Sequence, residues 1–303
     1  MTQGSSASGG NSRLALTAGA GCYLIWGVMP LAFQLLAHRG VSSWEMMAHR
    51  TFWSLPTAAL FVGMARQWPQ VAAVMRQPRV LAMLGLSAAL IAFNWITFIW
   101  AVTHGQVLEG SLGYYINPLI NMALGTLLFR ERIERLGALA IALAAVGVAI
   151  QTAALGRLPI VSVSLAVSFA IYGVVRKQVA ADAQTGLLIE CLVLSVPGLA
   201  FLLWLQHAGQ SHFLDDPGTA AWLVFSGVAT AVPLMLFSWS ARRIPFSLLG
   251  FLQFIAPTIT FFIGLAQHEV LTPMRALSFV FIWGGAAVFL YGVWRKSRLL
   301  PVQ

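Results

Sequence analysis

One run of residues places two opposite charges and an imidazole within an otherwise apolar segment. Glu45, His49 and Arg50 form an E-x-x-x-H-R set, and on a helix Glu45 and His49, four residues apart, share one face. Arginine suits carboxylate recognition, and histidine beside a carboxylate suits proton transfer. The pattern favours either a polar site around His49 and Arg50 or, in a membrane, a structural ion pair with a snorkelling arginine.

A second polar set follows a later apolar run. Tyr114, Asn117 and Asn121 stand at i, i+3 and i+7, so a helix would place them on one face. Amides on one face suit a polar lumen that binds a solute. They equally suit hydrogen bonds that join neighbouring helices.

Three further side chains could contact a small molecule. Asn94 and Trp95 add an amide and a large ring in the apolar segment that follows, although membrane tryptophans also serve as interfacial belts. Gln253 lies four residues before Pro257, on the same helix face. We therefore predict Asn94, Trp95 and Gln253 as binding candidates beside Arg50.

Carboxylates inside apolar segments are candidates for proton coupling. Glu190 is one candidate and Glu45 the other, although either side chain near an interface would reach water cheaply. Glu109 opens the apolar run that holds Tyr114, where it complements the helix dipole. It is also a candidate partner for Arg50.

The sequence contains no nucleotide-binding or hydrolytic motif and no Cys/His metal spacing. We therefore expect no catalytic residues, no metal and no cofactor. The two cysteines, Cys22 and Cys191, fall inside apolar runs and are expected to be packing residues.

The elements that carry these residues are membrane helices. The 303-residue chain is 59% hydrophobic and 9% charged, far from the roughly one quarter charged residues of soluble domains. About 20 apolar residues cross a bilayer as a helix. Ten such runs are predicted, at 14 to 37, 44 to 65, 79 to 103, 108 to 129, 136 to 154, 158 to 175, 185 to 206, 219 to 241, 246 to 267 and 275 to 294.

The net charge of +9 is a topology signal and does not indicate nucleic-acid binding. If the N-terminus is cytoplasmic, the basic residues concentrate in the cytoplasmic segments, whereas the opposite side holds only Arg39, Arg157 and Arg275. This bias follows the positive-inside rule and predicts that both termini are cytoplasmic.

The two halves of the chain repeat each other. At an offset of 139 residues, Trp100 matches Trp239 and Pro118 matches Pro257. An odd number of helices per repeat inverts the second copy, and such proteins hold solutes near the midplane where helices break. We predict a tail over 1–12, repeats over 13–155 and 156–296, and a tail over 297–303, with Pro118 and Pro257 as helix breaks or hinges.

Several motifs together resemble a known family. They include YLIWGV, FNWITFIWAV, LEGSLGYYINPLIN and GFLQFIAPT, with the E-x-x-x-H-R set already described. Over about residues 14 to 294 the chain resembles the RarD family of EamA-type transporters, in the drug/metabolite transporter superfamily. The resemblance implies ten helices in two inverted repeats, a central cavity and alternating access.

We therefore expect an inner-membrane secondary transporter that exports an amino-acid-like or amphipathic compound or a drug, with protons as a candidate coupling ion and lipids as its surroundings. Relatives in the superfamily export amino acids, other metabolites or drugs. The alternatives are a passive uniporter, a lipid-handling flippase or accessory protein, and an intramembrane enzyme. A carrier would show a closed central cavity lined by Arg50, Tyr114 and Asn117, and a flippase a polar groove facing lipid.

Overall fold

The computed structural model describes residues 5–129, 135–241, 243 and 252–299, and the regular elements in these ranges are all helices. The side chains of Pro118 and Asn121 lie outside the described residues. Eleven helices occur in these ranges: α1 Ser5–His38, α2 Ser43–Met64, α3 Trp68–Met75, α4 Pro78–Thr103, α5 Val107–Phe129, α6 Arg135–Leu155, α7 Ile160–Gln178, α8 Ala183–His207, α9 Pro217–Ala241, α10 Ile255–Ala266 and α11 Pro273–Leu299.

Six of these helices are long and apolar enough to cross a bilayer. Their apolar stretches are Leu14–His38, Pro78–Thr103, Arg135–Ala154, Ala183–His207, Pro217–Phe237 and Pro273–Gly292. Ile160–Arg176 and Ile255–Ala266 are shorter apolar helices. The prediction of an all-helical membrane protein is therefore confirmed for the described residues, whereas the count of ten crossings stays a prediction.

The structure places helix where the sequence predicted a connection or a tail, and α11 also runs to Leu299, inside the predicted C-terminal tail. The short helix α3, Trp68–Met75, lies where the sequence predicted only a connection between two crossings; a proline in its first turn and apolar residues behind it explain the extra helix. Helix α1 begins at Ser5, inside the predicted tail. No proline separates the tail from the apolar run, and extending a formed helix adds one hydrogen bond per residue.

The helices pack in a two-fold pattern. Helix α1 packs on α9 and α10, and in the same way α7 packs on α4 and α5. Three further contacts join equivalent helices, α2 with α8, α5 with α10 and α6 with α11. The helices before residue 155 therefore bury their inner faces mainly against those after residue 160, which places residues from both halves around the centre.

Close backbone contacts set the position of α2, the helix that carries Arg50. Ser54 of α2 donates its hydroxyl to the Gly227 carbonyl of α9 at 3.1 Å. A side chain at Gly227 would collide with the backbone of Trp53 and Ser54. The missing Cβ lets the two helices approach closely enough for their polar side chains to meet, as small residues do in membrane bundles.

At one end of the bundle, hydrogen bonds of amide groups join the α2–α4 connection to the start of α8. Gln67, just before α3, donates to the Asp182 carboxylate at 3.1 Å and accepts from the Thr185 hydroxyl at 3.3 Å. The Asp182 amide donates to Gln70 at 3.3 Å. These bonds tie the α2–α4 connection to the first turn of α8. The positive-inside rule predicts that this end faces the cytoplasm, because Arg66, Arg76 and Arg79 lie near it.

Candidate functional site

Arg50 lies at the centre of the bundle with only 5% of its surface exposed. Its Nε donates to the Thr230 hydroxyl of α9 at 2.6 Å. The guanidinium carbon lies 4.2 Å from the ring centroid of Trp95 and 5.5 Å from that of Phe33. Two aromatic rings therefore contact the cation, an arrangement that attracts it without neutralising its charge.

No carboxylate pairs with Arg50 within the ranges that the structure describes. Three described carboxylates pair with other arginines, Asp216 with Arg39, Glu109 with Arg157 and Glu190 with Arg176, and Glu45 contacts the His212 ring. The idea that Glu109 pairs with Arg50 is therefore wrong. Glu109 instead accepts from the Val161 amide at 3.2 Å at the start of α7, where free backbone N–H groups favour a negative charge.

Arg50 therefore carries hydrogen-bonding capacity that the described protein leaves unused. A guanidinium has five N–H donors, and only the one at Nε has an acceptor among the described residues. A buried charge without a counter-ion is costly and is usually turned toward a partner or a wet cavity. The remaining N–H groups of the guanidinium are therefore candidates for contacts with a solute.

Asn94 and Tyr114 form a fixed network beside Arg50. The Asn94 amide donates to the Leu165 carbonyl at 2.8 Å and to the Ser168 hydroxyl at 2.9 Å, both on α7. Its oxygen accepts from the Tyr114 hydroxyl at 2.9 Å. Because every polar atom of Asn94 is used, the residue joins α4, α5 and α7 and orients Tyr114.

Two other predicted residues have buried polar atoms without a partner. Asn117 is fully buried on α5, and neither its amide nitrogen nor its oxygen has a hydrogen-bond partner. His49 accepts from Trp53 Nε1 at its Nδ1, 3.3 Å away, while its Nε2 is unpaired. Since indole only donates, a neutral His49 carries its proton on Nε2. Unpaired buried groups are costly, so both are candidates for solute contacts.

Glu190 lies in a separate polar cluster between α4, α7 and α8. It is 3% exposed and accepts from the Ser87 hydroxyl at 2.6 Å. Arg176 Nη1 lies 3.6 Å from the same carboxylate, and Tyr172 also faces it. The predicted carboxylate is therefore buried beside one cation and two hydroxyl groups.

Glu45, the second predicted coupling carboxylate, is 1% exposed and binds the connection between α8 and α9. It accepts from the His212 amide at 2.8 Å and from His212 Nδ1 at 2.9 Å. The structure therefore separates it from the network around Glu190.

The two predicted helix breaks, at Pro257 and Pro118, have different outcomes. The helix is interrupted at Gln253 and Phe254, directly before α10, and Pro257 lies in the first turn of α10. A proline cannot donate to the carbonyl four residues earlier, which here belongs to Gln253. Gln253 itself is half-buried and has no described contact with Arg50. Helix α5 continues through Pro118.

Several residues of the site were not predicted. Thr230 and Phe33 contact Arg50, and Ser87, Tyr172 and Arg176 surround Glu190. Hydroxyl and aromatic residues are common in membrane helices, so their types alone carried no signal. Arg176 follows the apolar run at 158 to 175, where a basic residue is read only as a topology signal. Ser87 and Ser226 match at the repeat offset of 139 residues, and this match is the one sequence signal that singles out Ser87.

A groove of about 740 Å³ lies away from Arg50, against the outer side of α4. Exposed apolar residues dominate its lining, among them Trp44, Phe93, Trp100 and Ile160. Its polar groups are largely paired within the protein: Ser43 binds Thr103, and the His104 ring binds the Trp100 carbonyl. The groove therefore differs from the predicted central cavity lined by Arg50, Tyr114 and Asn117.

Apolar helices long enough to cross a bilayer, packed in two related halves with polar groups buried between them, define a polytopic membrane protein. The chain belongs to the EamA-like transporter family, whose sequence model matches residues 13–153 and again residues 159–291.

Similar proteins match the chain along almost their whole length. Protein RarD of Salmonella typhi is 39% identical over 270 residues, covering 88% of this chain and 91% of the relative. The chloramphenicol-sensitive protein RarD of Pseudomonas aeruginosa is 33% identical over 268 residues, covering 87% and 88%. A crystal structure with 18% sequence identity superposes with a TM-score of 0.61 over 93% of this chain and 98% of that chain, which shows a shared fold.

Proposed function

We propose that this chain is an alternating-access secondary transporter that exports a small amino-acid-like or amphipathic solute, or a drug with these features, and binds its anionic group at Arg50. One observation carries the proposal: Arg50 is buried, contacts two aromatic rings and has no carboxylate partner among the described residues. A solute carboxylate would complete its hydrogen bonds in the two-pronged geometry that guanidinium favours.

The surrounding residues suit the rest of such a solute. Phe33 and Trp95 offer apolar surface beside the guanidinium. Tyr114 lies within electrostatic range of Arg50, and Asn117 follows it by one helical turn on the same face. The unpaired amide of Asn117 can both donate and accept. This combination of cation, rings and amide favours a zwitterionic or amphipathic compound over a purely apolar one.

Ten crossings with both termini in the cytoplasm complete the proposal. The two-fold packing of the helices and the double match to one family support an inverted repeat. The basic residues at the Gln67 end support a cytoplasmic location for that end. Repeats over 13–155 and 156–296 remain our proposed division.

For coupling, we favour Glu190 over Glu45. Buried carboxylates in membrane helices often carry protons in transporters, and Glu190 is surrounded by groups that can exchange hydrogen bonds with it. Glu45 holds a connection in place. We expect Glu190→Gln to abolish the pH dependence of transport and Glu45→Gln to retain it. A pH-independent wild-type rate would favour the passive uniporter.

The flippase and enzyme alternatives have weaker support. The groove beside α4 is lined mainly by apolar residues, and the polar groups named there are paired within the protein, so it offers little to a lipid headgroup. Family membership favours a carrier over an intramembrane enzyme. A thermal shift seen only with lipids would reverse this preference.

The test is thermal unfolding of the purified protein with matched ligands. Free amino acids with apolar side chains are compared with their carboxamides, which lack the carboxylate. A ligand that binds only the folded state raises the melting temperature. We expect the acids to bind about 10- to 100-fold more tightly than the amides, the range given by one charged hydrogen bond of about 1.5–3 kcal/mol.

Two arginine variants complete the test. Arg50→Gln should abolish the difference between acid and amide, whereas Arg79→Gln, at an exposed position at the start of α4, should retain it. Equal shifts for acid and amide in the wild type, or an acid preference that survives Arg50→Gln, would show that the site lies elsewhere.

A further inference from the structure

The connection between α8 and α9 is fastened to the opposite half of the protein. Asp216 at its end pairs with Arg39 at 3.0 Å. His212 in its middle binds Glu45 through both its backbone amide and its ring, and Ser211 adds a contact of 3.4 Å to the same carboxylate. Residues 208–216 therefore contact the first half of the chain at the end that carries Arg39.

Phe213 of this connection inserts between side chains of α2. Its ring stacks on His49 with centroids 4.8 Å apart and planes at 18°. It also stacks on Trp53 at 6.1 Å and 22°. Its neighbour Leu214 is 72% exposed. The connection thus directs one aromatic side chain inward and the next apolar side chain outward.

Phe213 also packs against the apolar cluster beside Arg50. Phe33 belongs to this cluster, and Trp95 and Tyr114 pack against it as Phe213 does. Phe33 and Trp95 are the two rings that contact the guanidinium. Through this cluster, Phe213 joins the connection between α8 and α9, at the end of the bundle that the charge bias predicts to be extracytoplasmic, to the apolar residues beside Arg50.

Glu45 makes its contact with His212 almost fully buried. Its carboxylate is 1% exposed, and burying a charge in this way is costly unless it is well bonded. Ser42 caps the start of α2 by accepting from the Glu45 amide, so the carboxylate stands in the first helical turn, where negative charge is favoured. The buried Glu45 carboxylate needs a partner with N–H donors, and His212 supplies them.

We propose that Phe213 is the extracytoplasmic gate of the Arg50 site and that the contact between Glu45 and His212 holds this gate closed. Release of a solute on that side requires the bonds at Glu45 to break and Phe213 to leave its stack on His49 and Trp53. The inference rests on the proposed function only in placing the solute at Arg50. The barrier itself is a property of the protein without solute.

Accessibility of a single cysteine tests the gate without any solute. Thr230, the residue bonded to Arg50, is replaced by cysteine in a protein that also carries Cys22→Ala and Cys191→Ala. A charged, membrane-impermeant methanethiosulfonate is added to right-side-out or inside-out vesicles. We expect slow labelling from the extracytoplasmic face when Phe213 is present, and labelling at least about tenfold faster in Phe213→Ala, because the open population rises.

Two further variants keep the result interpretable. Leu214→Ala shortens the exposed neighbour and should leave the labelling rate unchanged. Glu45→Gln keeps the size of the side chain but removes its charge, and should increase labelling from the same face. Size-exclusion chromatography confirms that each variant is folded.

The outcomes separate the gate from the proposed function. If Phe213→Ala and Glu45→Gln label no faster than Leu214→Ala in either vesicle orientation, the gate is refuted. Faster labelling only in inside-out vesicles would refute its extracytoplasmic assignment. Faster labelling from outside, combined with no carboxylate preference at Arg50, would retain the gate and refute the proposed solute class.

Discussion

Substituting Gly227 by alanine tests the proposed arrangement of α2 and α9 around Arg50. An added Cβ would lie 2.4 Å from the Trp53 carbonyl carbon and 2.6 Å from the Ser54 nitrogen, whereas ordinary contacts begin at 3.4 Å. The two backbones must therefore separate by about 1 Å, since neither atom belongs to a flexible side-chain end. That movement lengthens the bond between Arg50 and Thr230.

The expected cost is about 1–3 kcal/mol for overpacking, with a further loss from the weakened Arg50 bond. Gly85→Ala on α4 is the matched control, because nothing lies within 4 Å of its added Cβ. There alanine should stabilise the helix by roughly 0.5–1 kcal/mol. The assay is the melting temperature in detergent with and without a bound amino acid. The reasoning fails if Gly227→Ala melts like Gly85→Ala and keeps its ligand response.

Three other substitutions give distinct outcomes. Asn117→Leu removes a buried amide without partners. The free energy of unfolding of the solute-free protein should therefore rise by about 1–3 kcal/mol, while the stabilisation by amino acids disappears. A lower stability of the solute-free variant would contradict this. Gly186→Ala places a methyl group 1.8 Å from Arg176 Nη1 and should displace the guanidinium from its carboxylate, at a cost below the roughly 3–5 kcal/mol of a fully buried pair. That cost should vanish in an Arg176→Gln background, as a double-mutant cycle would show. The Thr219 amide in the first turn of α9 bonds Asp216 and lowers the pKa of that carboxyl. The ionised Asp216 carboxylate stabilises the fold above the ordinary carboxyl pKa, and this stabilisation is lost as the pH falls through the lower pKa of the folded protein. The melting temperatures of wild type and Asp216→Ala should therefore converge in acid.

The helical architecture was predictable because membrane crossings impose a length and a composition. The boundaries of α4, α8 and α9 agree with the predicted runs to within two residues. The short helix α3 was missed because eight residues between two crossings carry too weak a periodic signal. The proline in the first helical turn of α3 did not identify the helix, because a proline is equally compatible with a β-turn.

The candidate site was only partly predictable. A charge in an apolar helix marked Arg50 and Glu45 without any structure. Their partners depend on contacts between distant segments: Thr230 is 180 residues from Arg50, and His212 is 167 residues from Glu45. An offset of 145 residues aligns Glu45 with Glu190 in the two halves of the sequence, yet the first holds a connection and the second lies beside Arg176.

The two-fold packing also has a consequence for biogenesis. Helix α1 finds its main neighbours in α9 and α10, and α2 finds its own in α8 and α9. The helices of the first half therefore enter the bilayer before most of their protein contacts have been synthesised. Until the later helices arrive, the charge of Arg50 and the carboxylate of Glu45 must be hydrated or held by lipid headgroups. A partly synthesised chain therefore exposes polar groups that the complete bundle buries.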